Sequence, residues 1–127
     1  MANRLCLVRF GVAALSIAPA LLAAQHAVDW HAYADCAAGY RANWQDRLTD
    51  PSRSPSMRDM IRGQADDYQA AAVRYYAQDT GAEKQTAQEA VAAYVDQNLE
   101  RFIALDKKDE LNDFLDRCPQ PDDSGNL

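Results

Sequence analysis

Two histidines, three methionines, a run of carboxylates near the C-terminus and three cysteines are the side chains with which this chain could do chemistry. His26 and His31 lie five apart, about 140° around a helix, so they do not converge on one ion. Met57 and Met60 stand one turn apart, and thioethers can bind reduced copper. A helical chain with methionine and histidine also invites comparison with haem bundles, but no Cys-x-x-Cys-His motif is present. Met57 falls on an apolar stripe and reads as core filler. Asp106, Asp109, Glu110, Asp113 and Asp116 crowd one segment without the glycine-containing loop that calcium requires. Lys107, Lys108 and Arg117 dilute them, which describes a solvated face. Ser52, Ser54, Ser56 and Ser124 sit in loop or tail sequence with no Gly-x-Ser-x-Gly elbow. No cofactor or metal is expected, and no catalytic residue, so the chain is read as not an enzyme.

The cysteines carry a clearer message. Cys6 lies in an N-terminal stretch with two arginines and no acid, followed by an apolar run from Phe10 to Ala24. That run of 15 residues is short of the roughly 20 that span a bilayer as a helix. A basic start and a short apolar stretch make a signal peptide over 1–24, cut between Ala24 and Gln25. Cys6 precedes the apolar run, so it is not a lipid-anchoring cysteine. Cys36 and Cys118 remain as an even pair, and in an oxidising compartment they are expected to form a disulfide. The bacterial periplasm is the expected destination, with release from the cell as the alternative.

The elements that would position these groups follow from helical periodicity. Trp30, Tyr33, Ala37, Tyr40 and Trp44 recur at intervals of three and four, which predicts a helix over 29–48, with Asp35, Arg41 and Asp46 opposite. After a loop rich in proline and serine, Ser54 before Pro55, or Ser56, can cap a second helix reaching about Gln78. Met57, Ile61, Ala65, Tyr68, Ala72 and Tyr75 form its inward stripe. Thr80 and Glu83 have capping-box spacing and open a third helix to about Leu105, facing inward with Ala87, Val91, Tyr94, Val95, Leu99, Phe102 and Leu105. Asp106 caps a last helix of about 12 residues, some 18 Å long, in which Leu111, Phe114, Leu115 and Cys118 share a face. Pro119 stops it.

The fold class is therefore all-α: a small up-down-up-down four-helix bundle over 25–118, with one disulfide linking the first and last helices. Residues 119–127 read as a disordered acidic tail. Without the leader the chain keeps 11 Lys and Arg against 19 Asp and Glu, a formal charge of −8. That excludes nucleic acid as a natural partner and disfavours anionic membrane surfaces. No segment after the leader is apolar enough to insert in a membrane. The expected function is a non-enzymatic binding or interaction protein meeting another envelope protein, with Arg74 and Tyr76 as a partner-facing patch. Two alternatives are a small-molecule or cofactor carrier using the tyrosine-rich interior and an envelope chaperone active under acid stress.

Overall fold

The computed structural model describes residues 28–46 and 52–121, and every regular element among them is an α-helix. The elements are α1 (Trp30–Asp46), α2 (Pro55–Thr80), α3 (Lys84–Lys107) and the short α4 (Leu111–Asp116). The leader, its cleavage point, Cys6, His26, Leu48 and the tail beyond Pro121 lie outside the described residues.

Helix α1 starts where Asp29 accepts the His31 backbone N–H on Oδ1 at 3.0 Å, satisfying one of the amides a helix N-terminus leaves open. Helix α2 begins with Ser54 as cap and Pro55 in the first turn, the serine Oγ accepting from the Met57 N–H at 3.3 Å. Of the two caps the sequence allows, Ser54 is the one used. At the far end Gly81 takes a left-handed conformation, φ 72°, and donates to the Ala77 carbonyl. Only glycine adopts that conformation without a steric penalty.

Two expected boundaries are corrected. Thr80 does not open α3. Its hydroxyl donates to the Tyr76 carbonyl and accepts from the Ala82 N–H, so it closes α2, and α3 starts after Glu83 with no side-chain cap. Asp106 does not cap the last helix either, because α3 runs on to Lys107. The Asp109 N–H donates to the Asp106 carbonyl and the Glu110 N–H to the Leu105 carbonyl, with Asp109 at φ 58°. This is a Schellman stop with aspartate in the place glycine usually takes. It consumes the residues expected to start α4, which is left with only 6 residues.

Helix α1 is the hub, touching α2, α3 and α4. Tyr33 meets Tyr75 and Tyr40 meets Tyr68, so α1 and α2 run in opposite senses. Their contact is made of small residues: Ala34, Ala37, Ala38 and Ala42 from α1, and Ala65, Ala71 and Ala72 from α2, all buried. Such residues let helix backbones approach closely and leave the rings to fill the flanks. Val91, Val95 and Phe102 of α3 and Leu111 and Leu115 of α4 complete the core. Cys36, buried in α1, is bonded to Cys118 just past α4, with the Cα atoms 6.0 Å apart across 82 residues of chain. The expected Cys36–Cys118 disulfide is present, but Cys118 lies beyond α4 rather than on its face, because that helix ends at Asp116.

With three neighbours, α1 has no simple outer face. Asp35 and Arg41, expected opposite the core, are half-buried and grip the other helices. Met57, expected in the core, is 44% exposed and Met60 58%. The Tyr33–Tyr75 and Tyr40–Tyr68 register sets Asp46 opposite the residues near Arg62. The first two turns of α2 therefore run past the described end of α1, and among the described residues no helix covers Met57.

Candidate binding surface

Two surface regions concentrate polar and aromatic side chains, one at each end of α1. At its start, the Trp30 ring stacks on His31 with centroids 3.7 Å apart and meets Tyr76 and Tyr94 edge-on at 5.0 and 5.1 Å. His31 Nδ1 lies 2.8 Å from Asp29 Oδ1. Side-chain and backbone hydrogen bonds from His31 hold the Asp29 carboxyl below the usual carboxylate range. One turn on, the Tyr94 hydroxyl donates to Asp35 Oδ1 at 2.9 Å, and Arg101 Nη2 donates to the same oxygen at 3.0 Å. Burial, then the bond to Asp35 and the charge of that carboxylate, push the Tyr94 hydroxyl up to about 12. This end of the helix is a set of internal braces, with rings and ion pairs satisfying one another.

The other end is different. Trp44 and Gln45 of α1 face Arg62, Ala65 and Asp66 of α2 across an open groove of about 320 Å³, with Arg41 at its back. A second depression of about 150 Å³, lined by Pro55, Arg58 and Asp59, continues from it, and the two share Trp44 and Arg62. The Arg41 guanidinium is fixed: Nη2 donates to Gln69 Oε1 at 2.8 Å and Nη1 to Asp96 Oδ1 at 3.2 Å. Helix α3 thereby holds the back wall. The Arg62 guanidinium lies 5.9 Å from the centre of the Trp44 ring, within the range of a cation–π contact. No carboxylate among the described residues pairs with Arg62, although Asp59 and Asp66 flank it one turn away. The antiparallel register of α1 and α2 is what joins Trp44 to Arg62, residues with no spacing that links them in sequence.

A third groove, of about 340 Å³, runs beside the disulfide and is lined by Ala32, Asp35, Phe114, Arg117 and Pro119. The core tyrosines line none of these three grooves. Tyr33, Tyr40, Tyr68 and Tyr75 pack on one another, and burial raises the Tyr40 and Tyr68 hydroxyls above their ordinary value. Asn43, 7% exposed, leaves its Oδ1 without a hydrogen-bond partner but lines none of the three grooves.

The residues singled out in sequence are distributed as follows. Arg74 lies over the Tyr75 ring at 5.6 Å, and Tyr76 packs edge-on against Trp30; both are half-buried. His31 is braced by Asp29, and His26 lies outside the described residues. Among the described residues, no three histidine, cysteine, aspartate or glutamate side chains converge as a metal site would require. No described helix is long and apolar enough to cross a membrane. Among the described residues the protein is all-helical, with α1 clipped by a disulfide to Cys118 just past α4. Neither a family model, nor a curated protein, nor a solved structure matches it.

Proposed function

We propose that this is a small exported, non-enzymatic binding protein that meets another protein of the cell envelope. The scaffold is read as an up-down-up-down bundle made and oxidised in the periplasm after loss of the leader 1–24. The Cys36–Cys118 bond supports that compartment, since such bonds persist where thiols are not kept reduced. The observation that carries the reading is the Trp44–Arg62 groove, an open surface of tryptophan and arginine, the residue types that dominate energetic hot spots of protein interfaces. The carrier alternative has less support, because the core tyrosines pair with one another and line none of the three grooves.

The test is reciprocal capture. Oxidised protein exported to a bacterial periplasm serves as bait in an envelope extract, and the retained protein, once identified, serves as bait in turn. A stoichiometric partner recovered in both directions is the expected result. An oxidised, folded bait that retains nothing above a blank matrix overturns the proposal.

A further inference from the structure

Residues 41–62 hold five arginines (Arg41, Arg47, Arg53, Arg58, Arg62), no lysine, and the three aspartates Asp46, Asp50 and Asp59. This stretch is net positive in a chain whose formal charge is −6. It supplies Arg41, Trp44 and Gln45 to one wall of the groove, and Pro55, Arg58 and Arg62 to the other. The lining of the groove itself holds three arginines, Arg41, Arg58 and Arg62, against two aspartates, Asp59 and Asp66, so this open tryptophan-containing surface keeps a positive excess in an acidic protein.

We propose that this groove is a docking site for an acidic segment of a partner protein, whose carboxylate pairs with Arg62 and whose apolar side chain lies on Trp44. The inference rests on the binding role proposed above and names the chemistry of its partner. Arginine rather than lysine is the residue for such a task, since its planar fork meets a carboxylate through two parallel bonds. Arg41, tied to Gln69 and Asp96, keeps the back of the groove in place. Trp44, Pro55 and Ala65 supply an apolar floor. The capped N-terminus of α2 at Ser54 adds the partial positive charge of a helix start beside Pro55 and Arg58.

Charge also separates the acidic segment from other occupants. A second copy would bring together two chains of formal charge −6, which repel. Nucleic acid and anionic bilayers are extended charged surfaces and meet the negative field of the whole molecule. A short acidic segment inside the groove feels mainly charges within the screening length, about 8–10 Å at moderate salt.

The experiment uses the full oxidised chain and a labelled glutamate-rich peptide with a central Phe-Leu pair, followed by fluorescence anisotropy. Saturable binding is expected, weakening as salt is raised. Arg62→Glu should weaken it by about tenfold or more, with Arg62→Lys falling between because it keeps the charge and loses the fork. Trp44→Phe tests the floor without emptying it, and circular dichroism checks that each variant is folded. Equal binding of a peptide with glutamine for every glutamate, or binding indifferent to Arg62→Glu, overturns the docking site. So does binding confined to anionic phospholipid vesicles, or sedimentation in which the chain alone self-associates through this face. If reciprocal capture finds a partner and Arg62→Glu leaves that capture unchanged, the binding role stands and this surface is not its seat.

Discussion

Tyr94 spans two helices through a single proton. Its hydroxyl donates to Asp35 on α1 from α3, and Arg101 holds the same carboxylate oxygen from the next turn but one. The Tyr94 hydroxyl, pushed up to about 12 from the usual phenol value of 10.0, gives a pH dependence of definite sign. The stabilisation belongs to the protonated phenol. It is complete below the unfolded-state pKa and disappears as pH rises through the folded one. Alkaline titration of stability should therefore show a loss between about pH 10 and 12, and Tyr94→Phe should flatten that window while costing roughly 1 kcal/mol at neutral pH for the lost hydrogen bond. Urea midpoints at a series of alkaline pH values check both; an unchanged slope in the variant would assign the titration to another tyrosine. Single residues also mark how far the sequence could be read toward a site. Arg41, Trp44 and Arg62 were each visible as types, but Trp44 counted only as core and Arg41 only as solvent face. Their meeting depends on the pairing of α1 with α2, which no local spacing encodes.

Helices α1 and α4 meet at a glycine. A Cβ on Gly39 would stand 2.9 Å from Leu115 Cδ2 and 3.2 Å from Phe114 Cε1, whereas one on Gly63 meets nothing within 4 Å. The two Gly→Ala variants are expected to have opposite signs. Gly63→Ala on the exposed side of α2 should stabilise by up to about 1 kcal/mol through helix propensity. Gly39→Ala gains the same propensity but must displace two packed side chains, at about 1–3 kcal/mol, so a net loss is expected. Thermal unfolding of both proteins checks the contrast, and a stabilised Gly39→Ala would mean that α4 is free to move aside. The same contact explains what was legible at this scale. Strong period-3.6 stripes located α1, α2 and α3 to within a few residues, and the Ser54–Pro55 start was readable because its chemistry is local. The α3–α4 junction was not, since Asp106 has the composition of a cap but lies in the last turn of α3, with Asp109 in a conformation more typical of glycine. Met57 misled for a different reason: it sits on the stripe but beyond the register of the described part of α1, and it is exposed.

At the scale of the whole molecule, α4 is the weakest part held by the strongest bond. Six residues are far too few for an independent helix, and only Leu111, Leu115 and half-buried Phe114 and Cys118 anchor it. The α1–α2 contact is by contrast long, antiparallel and closely packed. Joining Cys36 to Cys118 closes 82 residues of chain, restricting the unfolded state by about 4–5 kcal/mol on the loop-entropy argument. That is comparable to the net stability of many small domains, about 5–15 kcal/mol. Reduction should then act in two stages. At low denaturant α4 leaves α1 and uncovers Phe102 and the Gly39 face, while α1, α2 and α3 remain associated. Urea unfolding of the reduced protein, or of Cys36→Ser with Cys118→Ser, should begin earlier and carry a smaller m-value, because part of the surface is already exposed. Far-UV circular dichroism before the transition should lose only the small share of helix that α4 contributes. A reduced protein with the oxidised midpoint and slope would show that α4 docks through its leucines alone; one with no transition at all would show that the three longer helices depend on the clip as well.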